Sequence, residues 1–202
     1  SVYLVGNSMG ALAVLQFLQD QDLCKKFNLR ASVFLAPMLG LKTSPFPVLI
    51  ARWLASAAVY FGYHDRYCFG YGDFDIKKDL FEKNRNTHSR ENFERQKRIT
   101  QDHPQFITAG PTFGWLKATF SALDQVFEPD RLASIEIPVF IATAGDDQTV
   151  DTTYDAKFSN KLKNSVHKIY RGSWHNIFNE TDEIAEMLKK DIAAFLVLHP
   201  NK

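Results

Sequence analysis

Cysteine is scarce in this chain. Cys24 and Cys68 are the only two in 202 residues. Two are too few for a disulfide framework, and neither has a His or Cys nearby at metal-ligand spacing, so both are read as buried thiols. An excess of one charge is also missing. The 24 basic and 23 acidic side chains leave a formal charge of +1, which removes the electrostatic case for a polyanionic partner such as DNA or RNA. No apolar run reaches the roughly 20 residues of a bilayer crossing. The longest, VLIARWLASAAVYF from Val48 to Phe61, is interrupted by Arg52. A basic-then-apolar leader is not expected either. The chain opens directly on SVYLVGNSMG, already inside a motif, and the expectation is that an amino-terminal portion of the fold lies upstream of Ser1.

What is present suits a packed core. Hydrophobic residues make up 45% of the chain and charged residues 23%, a balance that argues against disorder. The length suggests one domain with an insertion. Val2 to Val5 is short, apolar and β-branched, and ends at Gly6, as a buried strand would. Ala11 to Leu18 is compatible with helix throughout, and Gln19 to Asp22 is expected to close it. Ala31 to Pro37 reads as a second buried strand stopped by proline. This opening is the strand–helix–strand unit of a parallel sheet.

The rhythm breaks from about Gly40 to Ala133, where helical periodicity, a polar run and many aromatics replace it. It resumes with a strand at Ile137 to Ala144, a helix near Thr152 to Leu162 and a short strand at Val166 to Tyr170. A closing helix is expected from Thr181 to Leu198, with Ile184, Met187, Leu188, Ile192, Phe195 and Leu196 at three- and four-residue steps. The fold class is therefore α/β, with a core of residues 1–40 and 134–202 and a helical insertion at 41–133.

Gly6-Asn7-Ser8-Met9-Gly10 is a G-x-S-x-G sequence between a predicted strand and a predicted helix, the context in which that motif is informative. The tight turn strains the serine backbone, and glycine on either side is expected to avoid clashes with the neighbouring strand and helix. The Met9 N–H at the helix start can face a developing oxyanion. A serine hydroxyl is a weak nucleophile and needs a base, with a carboxylate to fix that base's tautomer. Site residues of open parallel sheets gather on loops at the carboxyl ends of strands. One such loop carries Asp146 and Asp147, which spacing alone does not separate; another, after Tyr170, carries His175.

With these residues in place, the chain resembles the lysophospholipase and monoacylglycerol lipase branch of the α/β-hydrolases. The resemblance implies a mostly parallel sheet with a helical cap, an amino-terminally truncated version of that fold, and the chain order Ser, acid, His. Ala144, Asp147 and Val150 fit its acid motif, with Ala144 where glycine is more usual, which makes Asp147 the expected acid. Gly172, His175 and Glu180 fit its histidine motif, with Asn176 where Glu is common. Ser8, Asp147 and His175 are thus the expected catalytic residues. The resemblance places a second oxyanion donor upstream of Ser1.

Residues Thr87 to Leu123 resemble the cap of bacterial lysophospholipase-like members, including the Gly-Pro-Thr-x-Gly-Trp turn. Trp53, Phe113 and Trp115 are expected to contact substrate, although most aromatics of the insertion are expected simply to pack it. His64, His88, His103, His167 and His199 show no paired spacing for a metal and are read as structural or exposed. Neither cofactor nor metal is expected. The stretch from Gly70 to Asp75 is read as a loop rather than a calcium site. The run from Lys77 to Arg98 is read as a solvated helix face.

The implied activity is cleavage of lysophospholipid or monoacylglycerol esters through an acyl-enzyme on Ser8. The implied setting is cytoplasmic, with transient contact at a membrane surface. Two other readings remain open. One keeps the triad for a peptide, thioester or small ester; the other is a noncatalytic binding module or inactive fragment.

Overall fold

Strands as apolar as Ala31–Leu35 and Val139–Ala144 are stable only when both faces are covered, which is the situation of a parallel sheet flanked by helices. The computed structural model, which describes residues 2–199, has this arrangement. Its sheet contains β1 (Val2–Asn7), β2 (Leu29–Leu35), β3 (Val139–Ala144) and β4 (Ser165–Tyr170), in that spatial order and all parallel. In register, Val5 lies beside Val33, Phe34 beside Ile141, and Ala144 beside Tyr170. β3 is buried along its whole length, whereas β1 and β4 are partly exposed.

Between and after the strands run α1 (Met9–Leu18), α2 (Gln21–Lys26), α3 (Val48–Tyr60), α4 (Arg90–Asp102), α5 (Phe113–Val126), α6 (Pro129–Ala133), α7 (Thr153–Ser159) and α8 (Asp182–Val197). One cluster of buried side chains joins Val33, Leu35, Phe140 and Tyr170 of the sheet to Leu188 and Phe195 of α8. Phe34 also stacks on Phe158 of α7, with ring centres 6.0 Å apart. Phe34, Phe140 and Phe158 are all fully buried, each removing enough apolar area to contribute about 1.5–3 kcal/mol.

Two local readings change. Gln19 to Asp22 ends α1 but also starts α2, because Asp20 Oδ1 accepts from the N–H groups of Asp22 and Leu23 and so caps a new helix. In the run from Lys77 to Arg98, helix begins only at Arg90. The preceding residues form turns, with Lys77 N–H held by Asp75 Oδ1 and a single 3₁₀ turn at Phe81–Lys83. On α8, Met187 of the expected apolar stripe is exposed, while Ala185, Leu188 and Phe195 carry the burial.

The chain divides into two compact units: Ser1–Leu41, Arg85–Ser89 and Leu123–Lys202 form one; Lys42–Asn84 and Arg90–Ala122 form the other. The first contains the sheet. The second is helical, with Ala51, Ala55, Phe93 and Phe120 buried. Within it Arg52 lies over the Phe120 ring at 4.4 Å, and Arg90 lies 4.3 Å over Phe81 while its guanidinium meets Glu82 at 2.6 Å.

Candidate active site

The turn at Ser8 is set by backbone hydrogen bonds. Ser8 has φ 51° and ψ −119°, a conformation that a residue bearing a side chain adopts only under constraint. Its N–H donates to the Leu35 carbonyl at the end of β2 (2.9 Å), and its carbonyl accepts from Met38 (3.1 Å) and Ala11 (3.0 Å). Gly6 is sterically required, because a Cβ there would lie 2.5 Å from Ala11 Cα. Gly10 differs from the expectation: a Cβ there would meet no described atom within 4 Å. Met9 follows as the first residue of α1.

The acid loop leaves β3 at Gly145, where a Cβ would fall 2.8 Å from both Arg171 Cα and the Tyr170 carbonyl oxygen. That close approach stitches the loop to its neighbour. Gly145 N–H donates to Tyr170 and Asp146 N–H to Ser173, both at 2.9 Å. Asp146 is exposed, and the side chain of Asp147 turns inward and is fully buried.

Asp147 Oδ1 accepts from the N–H groups of Thr149 (2.7 Å) and Val150 (3.0 Å), which leaves Oδ2 for His175 Nδ1 at 2.7 Å. On the other side of the ring, His175 Nε2 lies 2.8 Å from Ser8 Oγ. The structure thus brings the hydroxyl of Ser8, the imidazole of His175 and the carboxylate of Asp147 into one hydrogen-bonded line. Burial alone would push the Asp147 carboxyl up, but the bond to His175, its charge and the two N–H donors outweigh burial and hold the pKa below the ordinary carboxylate value.

The expected substrate-contacting residues all lie in the helical unit. Trp53 is exposed on α3. Phe113 opens α5 with its ring edge-on to Phe69 at 5.5 Å, and Trp115 N–H donates to Thr112 Oγ1 at 3.2 Å. One feature near His175 had no signal in the sequence. Residues 85–89 belong to the sheet unit, and the Asn86 carbonyl accepts from Asn176 N–H at 2.8 Å. The partners are 90 residues apart, beyond the reach of any local pattern.

A second buried polar group joins α7 to β3 and β4. Asp155 of α7 is fully buried, and its Oδ2 accepts from Thr143 Oγ1 (2.6 Å), which in turn lies 2.8 Å from His167 Nε2. The Asp155 Oδ1 atom has no hydrogen-bond partner. Burial pushes the Asp155 pKa up to about 7 and pulls that of His167 down.

The chain is similar to several known proteins. Residues 1–182 match the family described as serine aminopeptidase, S33. The chain is 24% identical to the probable lysophospholipase L2 of Haemophilus influenzae, covering 96% of this chain and 59% of that protein. It is 25% identical to lysophospholipase L2 of Escherichia coli, covering 98% and 58%. The chain therefore spans less than two thirds of the length of these relatives.

Among solved structures, the monoacylglycerol lipase of Paleococcus ferrophilus superimposes with a TM-score of 0.67 at 18% identity, covering 98% of this chain and 68% of that one. A soluble variant of monoglyceride lipase from Saccharomyces cerevisiae gives 0.69 at 17% identity, covering 98% and 65%. With the parallel sheet, the serine turn and these matches together, the chain belongs to the serine aminopeptidase, S33 family of hydrolases and has the α/β-hydrolase fold.

Proposed function

We propose that Ser8, His175 and Asp147 are the catalytic triad of a carboxylester hydrolase acting on lysophospholipids or monoacylglycerols. The observation that carries this reading is the unbroken line from Asp147 Oδ2 through the imidazole to Ser8 Oγ, with contacts of 2.7 and 2.8 Å. His175 Nε2 accepts the Ser8 proton as Oγ attacks the ester carbonyl, and then returns it to the departing alcohol. Water, deprotonated by the same imidazole, cleaves the acyl-serine and frees the acid. Asp147 holds Nδ1–H and stabilises the imidazolium, while Met9 N–H, at the amino end of α1, supports the oxyanion.

The names of the similar proteins favour a lipid ester. In this reading the helical insertion acts as a cap, and Trp53, Phe113 and Trp115 supply apolar surface to the acyl chain. Among the described residues no helix is long and apolar enough to cross a membrane, and the lipid is met by transient surface contact. A second reading keeps the triad but assigns a peptide substrate, and it draws on the description of the family.

Steady-state assays of the intact protein on lysophosphatidylcholine, a monoacylglycerol, short p-nitrophenyl esters and an aminoacyl p-nitroanilide separate the two. The lipid reading expects the largest kcat/KM on one of the first two, lost in S8A. A preference for the anilide, again lost in S8A, supports the peptidase reading.

A further inference from the structure

The loop that carries His175 is tied down on both sides of that residue. Trp174 N–H donates to Glu180 Oε1 (2.8 Å), and Asn176 N–H donates to the Asn86 carbonyl (2.8 Å). Glu180 is fully buried. Its Oε1 also faces His88 Nδ1 at 3.1 Å, and its Oε2 accepts from the N–H groups of His88 and Thr181, each at 3.1 Å. One carboxyl therefore gathers donors from residues 85–89, from the His175 loop and from the start of α8.

Further contacts close the same knot. The His88 and Trp174 rings lie 4.0 Å apart, and Thr87 Oγ1 donates to the Asn179 carbonyl at 2.6 Å while accepting from Ser89 N–H at 3.0 Å. A buried carboxyl is tolerated only when hydrogen-bonded, and a network so fully bonded is rigid. The acyl-transfer steps make no use of Glu180 or His88. Glu180 does, however, hold the backbone N–H of the residue before His175, and His88 contacts both Glu180 and the Trp174 ring; an imidazole that must meet Ser8 Oγ and Asp147 Oδ2 at once has little room to shift.

We propose that Glu180, with His88 as its partner, is a positioning residue that holds Trp174 to Asn176 so that His175 stays aligned with both of its triad partners. The proposal rests on the reading of Ser8, His175 and Asp147 as the triad. Gln in place of Glu180 keeps the size but sets an NH₂ group against N–H donors, so the loop shifts without losing its packing. Misplacement of a reacting group by about 1 Å costs on the order of 100-fold, so E180Q is expected to lower kcat per titratable site by about 10- to 100-fold with KM changed less than about twofold.

The test uses the intact protein, with active sites counted by exhaustive fluorophosphonate labelling so that misfolded molecules do not enter the rate. A role confined to stability would lower the melting temperature and leave kcat per site unchanged. That result in E180Q overturns the proposal. The pair H88N and H88L gives an independent answer and decides the matter if E180Q fails to fold. The Asn amide can replace the ring donor and is expected to keep kcat within about threefold of wild type, whereas Leu is expected to lose about tenfold. Equal kcat per site in both His88 variants also overturns it. Wild-type turnover in S8A would instead mean that the triad reading itself had failed.

Discussion

At the scale of single residues, Asp147 and Asp155 show how one burial environment can act in opposite directions. Asp147 has a donating partner for each oxygen, which outweighs burial, so its pKa falls. Its stabilising contribution is therefore present above the ordinary carboxyl value of 3.8 and is lost as pH falls through its lowered folded value. D147N is expected to leave the fold intact but to lower kcat by about 10⁴-fold, because an amide does not favour the tautomer that keeps Nε2 free to take the Ser8 proton. Steady-state kinetics beside a circular dichroism melt check both halves of that statement.

Asp155 has only the Thr143 hydroxyl and an unpartnered Oδ1, so burial dominates and its pKa rises to about 7. For a carboxyl raised above its unfolded value, stability is full below pH 3.8 and declines as pH rises through about 7. D155N keeps an acceptor for Thr143 and has no charge to bury. Wild-type melting temperature should therefore fall between pH 5 and pH 8 by at least about 2–4 °C more than that of D155N. Parallel curves would contradict this account of the Asp155 site.

At the scale of elements, the strands and the serine turn were legible because local chemistry specifies them. Val2–Val5 and Val139–Thr143 are β-branched and apolar, and Gly6 stands where only glycine fits. The choice between Asp146 and Asp147 was not legible from spacing. It emerges from the way Gly145 crosses the end of β4 and turns one carboxylate inward and the other to solvent. The α2 helix escaped a reading based on polar closure because Asp20 serves two elements at once. D20A, which removes the cap, is expected to cost about 1 kcal/mol, seen as a fall of about 2–4 °C in melting temperature. The ties of residues 85–89 to the His175 loop were invisible for a different reason: non-local hydrogen bonds leave no periodicity.

At the scale of the whole molecule, β1 is hydrogen-bonded by β2 on one side, and no other described strand pairs with it. Val5 beside that edge is 59% exposed, and Val2, Leu4, Phe17, Phe27 and Leu29 line an apolar hollow nearby. An open edge with apolar neighbours is a template for self-association. The 202-residue chain on its own is expected to form concentration-dependent oligomers in light scattering, and V5K is expected to reduce them. A monodisperse monomer at all concentrations would contradict that expectation.

Whether Ser8 is a nucleophile activated by His175 is read out by peptide mapping with mass spectrometry after brief fluorophosphonate treatment. A single adduct is expected on the peptide containing Ser8, formed in the wild-type protein and slowed by at least about 1000-fold in H175A. An unmodified Ser8 in the folded, intact protein, or an adduct that forms equally fast without the imidazole, would contradict it.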